Sequence, residues 1–292
     1  MISREVLAEL ATWLRKNGGK VLMDVETAGI IGETSTYEKS DIPDLSELII
    51  VLGGDGTLLS VAQLTHKSNV PILAANLGSL GFLTEVSLPE LYETLELVMQ
   101  NKFTLDERML LNTCLWRGEE KAQEYDVLND VVINKGVLAR IVNLDVSVND
   151  QHMTSYRADG LIIATPTGST AYSLSAGGPI IHPSMHAFVL SPICPFSLTN
   201  RSIVVPDDSR IQVRLTTENE DVRITLDGQM GCAMRMGDVL EVKKAQTTIK
   251  LIQTPGKNYY QILRSKLHWG RPAHDPITGK EEKTSDREKE KK

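Results

Sequence analysis

Several features that assign a protein to a special class are absent or scarce in this sequence. Its 292 residues include three cysteines, which lie far apart and match neither a disulfide framework nor a zinc-ligand spacing. Its six histidines show no metal-ligand spacing. No apolar run approaches the roughly 20 residues that cross a bilayer, and the first residues lack the basic-then-apolar layout of a signal peptide. These absences predict a cytoplasmic protein that contacts no membrane.

A surplus of basic residues is also absent. The formal net charge is −7, so no general electrostatic attraction to nucleic acid is expected. With 41% hydrophobic and 24% charged residues, the chain has the composition of a globular protein that buries a sizeable core. Residues 271–292 depart from this composition, because they turn polar and then mostly charged with both signs mixed. That composition predicts a disordered tail.

Hydrophobic patterning divides the rest of the chain into two predicted domains. In residues 1–103, helical spacing alternates with short apolar runs, which predicts an α/β domain with a parallel sheet. In residues 104–270, short alternating runs separated by turns predict a mostly antiparallel, β-sandwich-like domain. The elements predicted in the first domain are a helix over 5–17, a strand over 20–25, buried strands over 48–52 and 70–75, a helix from Thr57, and an amphipathic helix over 88–100.

A glycine-rich turn follows the predicted strand over 48–52. In Gly53-Gly54-Asp55-Gly56-Thr57 the glycines allow a sharp turn, and Thr57 is a favourable N-cap for the next helix. A helix N-terminus behind such a turn is an anion site, because its amide N–H groups point outward. Asp55 places a carboxylate in this site. It is either a turn residue or a group that binds a metal or takes a proton from an attacking hydroxyl, and this stretch alone favours neither.

A second polar stretch, residues 76–83, follows the predicted strand over 70–75. It should lie at the same sheet edge as the glycine turn, where open α/β sheets bind ligands. Asn76 offers a donor and an acceptor at this edge, and Phe82 offers an aromatic face for stacking. The alternative is a plain turn with Phe82 in the core.

A third polar feature is the pair Asn129 and Asp130, which interrupts an apolar strand predicted over 126–133. Polar side chains in such a strand either bind a ligand or face solvent at an edge. Solvent exposure is the commoner of the two arrangements. The pair alone therefore does not predict a site.

The segment from Arg157 to Ser175 is the richest in hydroxyl groups. An apolar strand is followed by Thr165-Pro166-Thr167-Gly168-Ser169-Thr170. The segment after this loop ends at Gly177-Gly178. Hydroxyl groups and exposed amides at a helix start suit a polar ligand such as ribose or phosphate, although a capped turn is the alternative. The segment is not a P-loop, because no Gly-Lys-Ser/Thr sequence follows and no lysine is present to hold phosphates.

Taken together and in this order, these motifs resemble those of the bacterial NAD kinases over roughly residues 5–270. Diacylglycerol kinases, sphingosine kinases and 6-phosphofructokinases carry a similar Gly-Gly-Asp-Gly motif. The segment Thr165–Ser173, joined to the loop over 76–83, is far more specific. The resemblance implies NAD bound between an α/β domain and a β-sandwich-like domain in a homo-oligomer, a dimer or tetramer. It also implies transfer of the ATP γ-phosphoryl group to the 2′-hydroxyl of the adenosine ribose, which makes NADP.

The resemblance assigns roles to individual residues. Asp55 is implied to be the general base that deprotonates the 2′-hydroxyl. The ATP phosphates are implied to lie beside Gly53, Gly54, Gly56 and Thr57. Mg²⁺, carried mainly by those phosphates since no side-chain motif for a metal is present, offsets the negative charge. The implied NAD-binding residues are Gly56, Asn76, Phe82, Asn129, Asp130, Arg140, Arg157, Asp159, Thr167, Thr170, Ala171, Tyr172, Ser173, Ser175 and Gln229.

The sequence departs from the family pattern at two points. Asp130 stands where the family has a glutamate, so a contact that glutamate makes directly is expected to pass through water. Family members also begin with a β-strand, whereas this sequence begins in the first helix, which predicts an exposed sheet edge. Two other functions share part of the pattern: an NAD(P)-binding sensor without catalysis, and a lipid or sugar kinase that uses the same glycine turn.

Overall fold

A computed structural model describes residues 4–78, 81–136, 141–218, 221–253 and 256–269 of the protein. Two predictions, the role of Arg140 and the disordered tail, fall outside these ranges. No helix within them combines the length and the apolar character that crossing a membrane requires. The helices are α1 (Arg4–Lys16), α2 (Val25–Ile31), α3 (Ile42–Leu45), α4 (Asp55–Thr65), α5 (Leu91–Met99), α6 (Tyr172–Ser175) and α7 (Tyr259–Leu267).

The strands alternate with helices at first and then follow one another almost without interruption. They are β1 (Ile49–Leu52), β2 (Ile72–Asn76), β3 (Val86–Ser87), β4 (Thr104–Arg117), β5 (Glu120–Val127), β6 (Asp130–Lys135), β7 (Val142–Val148), β8 (Gln151–Ala158), β9 (Gly160–Ala164), β10 (Ala187–Ile193), β11 (Ile203–Pro206), β12 (Ile211–Leu215), β13 (Val222–Leu226), β14 (Met230–Met234) and β15 (Val239–Gln253).

The N-terminal domain is built on parallel strands that are buried on both faces. β1 pairs with β2 and β2 with β3, in both cases in parallel. Because side chains alternate along a strand, Ile72 and Ala74 of β2 pack against α4, whereas Leu73 and Ala75 pack against α1 and α5. This arrangement confirms the predicted α/β domain with a parallel sheet. It also places the carboxyl ends of β1 and β2 beside each other.

The C-terminal domain consists of two mostly antiparallel sheets that share one hydrophobic core. In the described residues, one sheet has the order β11-β10-β9-β6-β13-β14. The other contains β15, β12, β7 and β8 in that order, with β4 and β5 attached through β15. Leu144 and Val213 of one sheet and Leu161 and Phe188 of the other are fully buried in the same cluster. The predicted β-sandwich-like domain is confirmed.

The two domains share a sheet and a core. β15 pairs in parallel with β2 at Leu251 and Ile72. The parallel strands of the N-terminal domain and the sheet that contains β15 therefore form one continuous sheet. Leu58 of α4 lies in one buried cluster with Leu110 and Leu128 of the second domain. The loops that follow β1 and β2 therefore face loops of the second domain across an apolar interface.

The strand predicted over 20–25 is wrong. Apart from a single bridge at Asp24, these residues form no strand, and α2 follows directly. The Asp24 carboxylate accepts hydrogen bonds from the N–H groups of Glu26 at 3.1 Å and Thr27 at 3.2 Å. An aspartate N-cap stabilises a helix start, and this local signal outweighs the short apolar run before it.

The single strand predicted over 126–133 is also wrong. The chain forms β5 and β6, with Leu128 and Asn129 between them. The N–H groups of both residues donate to the Asp227 carboxylate, at 2.9 and 2.7 Å, instead of continuing a strand ladder. A distant side chain therefore divides a segment that reads as one apolar run.

The expected open sheet edge is found at β1. Among the described residues, β1 has a strand partner on one side, β2, and none on the other. Ile49 and Ile50 of β1 are half-buried, whereas the two residues that follow them are buried. The strand is therefore shielded most strongly at the end that leads into the glycine turn.

Candidate active site

The glycine turn opens directly into α4. The helix begins at Asp55 with Gly54 as its N-cap, since the N–H of Leu58 donates to the carbonyl oxygen of Gly54 at 3.2 Å. Thr57 is therefore the third residue of the helix, and its predicted role as N-cap is wrong. Its side chain folds back on Gly53, where an added Cβ would lie 2.5 Å from Thr57 Oγ1. Glycine is required at that position by packing.

Gly54 and Gly56 are glycines for a different reason. A Cβ added at either residue would meet no atom within 4 Å, and neither adopts a positive φ. Both residues are exposed. The fold itself would accept a side chain at both positions, so their bare backbone leaves the start of α4 open to a ligand.

Asp55 is held by the loop that follows β2. Its Oδ2 accepts the N–H of Phe82 at 2.8 Å, and its Oδ1 accepts the N–H groups of Leu83 and Thr84 at 3.1 Å each. The Thr84 hydroxyl donates to Oδ1 as well, at 3.1 Å. The loop approaches so closely that a Cβ at Gly81 would lie 2.0 Å from Asp55 Oδ1. These contacts therefore hold the Asp55 carboxylate in one orientation.

The two side chains predicted in this loop differ in surroundings. Phe82 is half-buried and lies outside the hydrophobic clusters of the described residues, so the alternative that places it in the core is wrong. Asn76 is buried, donates through Nδ2 to the Thr84 hydroxyl at 3.0 Å, and accepts the N–H of Gly78 through Oδ1 at 2.6 Å. Thr84 itself was not among the predicted residues.

Asp130 is buried and Asn129 is half-buried, so the pair does not have the solvent-exposed arrangement that is commoner for such residues. Asp130 is 5% exposed, and Asn129 Oδ1 is buried without a hydrogen-bond partner in the described structure. Burial, reinforced by the neighbouring Asp227 carboxylate, raises the pKa of Asp130 to about 7. An unpaired acceptor and a carboxyl group that accepts a proton near neutral pH are features of a ligand site.

Asp227 holds the backbone of residues 128–130 and was missed by the sequence analysis. Its carboxylate accepts the N–H groups of Leu128, Asn129 and Asp130 at 2.9, 2.7 and 3.2 Å. Burial raises the pKa of Asp227, while these three hydrogen bonds act in the opposite direction. Its backbone has a φ of 49°, and Gly228 continues the turn with a φ of 67°. The Asp-Gly pair was a turn signal that could have identified this residue.

Three hydroxyl groups of the Thr165–Ser173 segment fold the loop itself. Thr165 donates to the carbonyl oxygen of Leu128 at 2.6 Å, and Ser169 donates to that of Pro166 at 2.6 Å. Both residues are fully buried, as is Ser173. Ser173 shares a hydrogen bond of 3.1 Å with Ser191. Its hydroxyl faces the interior in this arrangement. Ser173, which was predicted to bind NAD, therefore uses its hydroxyl in a hydrogen bond within the protein.

The loop over residues 165–171 packs against the backbone of Asn129. A Cβ at Gly168 would lie 2.0 Å from the carbonyl oxygen of Asn129, so only glycine permits this approach. Thr167 is buried and its hydroxyl accepts from Arg108 at 3.3 Å. Arg108 is 3% exposed and had no signal in the sequence pattern. Thr170 donates to the carbonyl oxygen of Thr167 at 3.2 Å.

A cavity of about 330 Å³ lies where these segments meet. Ser175 is exposed on α6 and does not line it. A larger cavity of about 360 Å³ elsewhere contains none of the predicted residues, so size alone does not locate the site. The residues that line the smaller cavity are Asn129, Asp130, Val132, Asn134, Ala171, Tyr172, Thr225, Asp227 and Gly228.

Gln229 joins this cavity to the glycine turn. Its Nε2 donates to the carbonyl oxygen of Gly56 at 2.8 Å, and its Oε1 accepts from the Ser60 hydroxyl at 2.9 Å. The turn over 227–229 thus contacts both the Asn129 segment and the first turn of α4. Gln229 therefore connects the start of α4, which contains Asp55, to the turn that lines the cavity.

Arg157 and Asp159 lie elsewhere. They precede β9, whereas Thr165 follows it, and a strand rises about 3.3 Å per residue, so the two ends are roughly 20 Å apart. Asp159 forms an ion pair with Lys135 at 2.8 Å, and the Arg157 guanidinium lies 4.7 Å from the centre of the Phe196 ring. Neither residue is among those that line the cavity, although Lys135, the partner of Asp159, directly follows the cavity-lining Asn134.

The described ranges of the chain offer no metal site built from side chains alone. No cluster of three or more histidine, cysteine, aspartate or glutamate side chains able to hold a metal ion is present there. A metal at this site would therefore need most of its ligands from a bound molecule.

The sequence matches two family models that are specific to one enzyme family. Residues 3–103 match the ATP-NAD kinase N-terminal domain, and residues 128–254 match the ATP-NAD kinase C-terminal domain. An NAD kinase from Syntrophotalea carbinolica is 48% identical over 271 residues, which are 92% of this chain and 94% of the relative. An NAD kinase from Geotalea daltonii is 49% identical over 265 residues, or 91% and 93% of the two chains.

Solved structures give the same result for the fold. The structure of yeast NADH kinase complexed with NADH superposes with a TM-score of 0.84 at 27% identity and covers 92% of this chain and 85% of that chain. An Archaeoglobus fulgidus NAD kinase in complex with ATP shares the fold, with a TM-score of 0.73 at 22% identity over 89% and 93% of the two chains. The matched domain models and the identity to full-length relatives show that this chain belongs to the ATP-NAD kinase family.

Proposed function

We propose that this chain is an ATP-dependent NAD kinase that phosphorylates the 2′-hydroxyl of the adenosine ribose of NAD and forms NADP. The observation that carries the proposal is the junction at Gln229, which connects the Asp55 turn to the cavity lined by Asn129, Asp130 and Tyr172. A kinase needs a proton acceptor beside a nucleotide pocket. Through Gln229 the Asp55 turn and the cavity lie beside each other. The curated relatives named NAD kinase and the NADH complex of the similar yeast enzyme support the choice of substrate.

In the proposed reaction the dinucleotide occupies the cavity, with the adenosine ribose directed toward Asp55. The 2′-oxygen forms a bond to the γ-phosphorus of ATP, and the bond from that phosphorus to the bridging oxygen of ADP breaks. The proton of the hydroxyl passes to the Asp55 carboxylate, and ADP leaves with the electrons of the broken bond. Since phosphoryl transfer needs little covalent help, positioning by the loops accounts for most of the acceleration.

The remaining groups of the site divide between the two substrates. Ala171, Tyr172 and Asn129 line the cavity and are proposed to contact NAD. Gly54 and Gly56 are proposed to face the ATP phosphates. Mg²⁺ bound to those phosphates would supply charge neutralisation, which fits a site whose described side chains include no metal-binding cluster. A lipid or sugar substrate is not favoured, because relatives that match more than nine-tenths of the chain carry the name NAD kinase.

The test of the function is a coupled assay for NADP with the purified chain, NAD and ATP. NADP should form in the presence of Mg²⁺ and stop forming when EDTA removes the metal. Calorimetric binding of NADP without any NADP formation would overturn the proposal in favour of a non-catalytic sensor. Phosphorylation of a sugar or a lipid in preference to NAD would overturn it in favour of another kinase.

Replacement of Gly56 by alanine should weaken ATP binding without harming the fold. The new Cβ meets no protein atom, and alanine stabilises a helix by about 0.5–1 kcal/mol relative to glycine, so Tm should hold or rise. The methyl group would keep a phosphate from the bare amides. Loss of such a charged hydrogen bond corresponds to a KM for ATP about tenfold higher.

Gly29→Ala is the matched control, because Gly29 lies within α2 and its added Cβ also meets no atom within 4 Å. It should raise stability similarly and leave the KM for ATP unchanged. An unchanged KM in Gly56→Ala would show that no phosphate approaches that residue.

We also propose a cytoplasmic homo-oligomer. Phe196, whose ring contacts the Arg157 guanidinium, is 66% exposed, and Leu198 is 89% exposed; such apolar exposure fits a protein interface. A second subunit at this surface would also give Arg157 and Asp159, which do not line the cavity of their own chain, a role in binding. The free thiol of the exposed Cys194 suits a reducing compartment. A monomer mass in light scattering, or a secreted chain in cell fractionation, would contradict the respective proposal.

A further inference from the structure

The two oxygens of the Asp55 carboxylate are used unequally. Oδ1 accepts three hydrogen bonds, from the N–H groups of Leu83 and Thr84 and from the Thr84 hydroxyl. Oδ2 accepts one, from the N–H of Phe82 at 2.8 Å. A carboxylate has about four lone-pair positions, two on each oxygen. Oδ2 is therefore the oxygen that retains room for a substrate hydroxyl.

The direction of each hydrogen bond behind Oδ1 follows from chemistry. An ionised carboxylate only accepts, so the Thr84 hydroxyl must give its single hydrogen to Asp55. Its lone pairs then accept from Asn76 Nδ2 at 3.0 Å, and Asn76 Oδ1 accepts the N–H of Gly78 at 2.6 Å. The order of donors is thus fixed from Gly78 through Asn76 and Thr84 to Asp55.

Packing prevents this chain of hydrogen bonds from rearranging. Thr84 is fully buried and Asn76 is 7% exposed. A Cβ at Gly81 would lie 2.0 Å from Asp55 Oδ1 and 2.3 Å from Thr84 Oγ1, so the loop backbone closes over both atoms. The Thr84 hydroxyl is therefore enclosed beside Asp55 Oδ1 by the loop backbone.

We propose that Thr84 is a positioning residue for Asp55, whose hydroxyl anchors Oδ1 and leaves Oδ2 to accept the proton of the attacking hydroxyl. This inference rests on the proposed function, because it concerns the geometry of its general base. Thr84 itself touches neither substrate. Its contribution is to hold the carboxylate in one orientation, and loss of orientation near the reacting atoms is expected to act on kcat more than on binding.

The test compares Thr84→Val with Thr84→Ser in the NADP assay. Valine keeps the shape and removes the hydroxyl, so kcat should fall by roughly 10- to 100-fold while the KM values for NAD and ATP change by less than about threefold. Serine keeps the hydroxyl and should restore kcat to within about threefold of the unmodified chain. This split between kcat and KM, with rescue by serine, is not expected from a general loss of stability.

Thr94→Val is the matched control, since Thr94 is a buried threonine of α5 whose hydroxyl donates to the carbonyl oxygen of Glu90 at 2.8 Å. It should leave kcat unchanged. If Thr84→Val does not fold, Thr84→Ala and Thr84→Ser give the same comparison, because both lack the methyl group and serine alone keeps the hydroxyl. A serine-to-alanine kcat ratio of about ten or more supports the inference.

The outcomes separate this inference from the function on which it rests. A kcat for Thr84→Val near that of the unmodified chain, or a serine variant as slow as the valine variant, overturns the role of Thr84 and leaves the NAD kinase activity standing. Failure of the unmodified chain to form NADP overturns both. A fall in kcat that serine reverses supports both.

Discussion

Replacement of Asp55 by asparagine is expected to lower kcat for NADP formation by about 10³-fold, the scale of a lost general base. Asparagine has the same shape but cannot take a proton from the 2′-hydroxyl. NAD affinity, measured by calorimetry, should stay close to that of the unmodified chain, since the cavity residues are unchanged. A kcat within tenfold of the original would show that Asp55 is not the base.

The same substitution should also disturb the loop that Asp55 holds. An amide group has one acceptor oxygen, so its NH₂ group must face either the N–H of Phe82 or those of Leu83 and Thr84. A donor placed against a buried donor costs about 1–3 kcal/mol, which a lower Tm would report. The stability loss and the rate loss therefore have separate causes.

Asp24→Asn is the matched control for this effect. Asp24 is another aspartate at a helix start whose carboxylate accepts backbone N–H groups, and it caps α2 at a distance in sequence from every predicted site residue. Its asparagine variant should lose little stability, because one oxygen of Asp24 accepts both N–H groups and asparagine keeps that oxygen, and it should keep its kcat. A rate loss in both variants would mean that the loss is not specific to the missing base at Asp55.

The second large effect concerns Asp130 and the pH dependence of stability. The pKa of Asp130 is raised to about 7 in the folded protein by burial and by the Asp227 carboxylate. The unfolded chain has an ordinary aspartate pKa of about 3.9. Between these values the folded state holds a proton that the unfolded state has released. Its contribution to stability is thus complete below about pH 4 and is lost as the pH rises through about 7.

Asp130→Asn should remove this dependence. A difference of about three pKa units corresponds to about 4 kcal/mol, so the variant should be more stable than the original chain at pH 8 by up to this amount. The two proteins should converge at pH 4, where Asp130 is protonated. Denaturant unfolding at fixed protein concentration across pH 4–8 measures both curves.

Asp44→Asn is a suitable control, because Asp44 is exposed on α3. It should leave the pH dependence of the unfolding free energy unchanged. Equal pH profiles for Asp130→Asn and the original chain would show that folding does not raise the pKa of Asp130. The expectation that Asp130 contacts ribose through water, because it replaces a longer glutamate, stays a prediction.

Local pattern was sufficient for much of the fold and for the centre of the site. The apolar strand followed by Gly53–Thr57 predicted a strand, a sharp turn and a helix, and the structure contains all three. Such signals act within a few residues, since glycine conformation and helix capping depend on near neighbours. The same locality explains the errors at Thr57 and at residues 20–25, where competing local signals differ by little.

The groups that the sequence analysis missed act over long distances in the chain. Thr84 reaches Asp55 across 29 positions, and Asp227 reaches Leu128 across 99. Arg108 contacts Thr167 across 59 positions. No periodicity or spacing encodes such pairs, because they exist only after distant segments of a domain have packed together. Buried polar groups must then find partners wherever the fold places them.

Sequence by itself determined the classes of structure and chemistry: two domains, a parallel sheet that leads into a glycine turn, and a carboxylate at a site suited to phosphate. Tertiary structure decided how that carboxylate is held. The loop after β2 binds Asp55 through three backbone N–H groups and the Thr84 hydroxyl, and Gln229 of the second domain binds the turn from the other side. The physical reason is that residue type sets what a group can donate or accept, whereas packing alone sets which partners it meets.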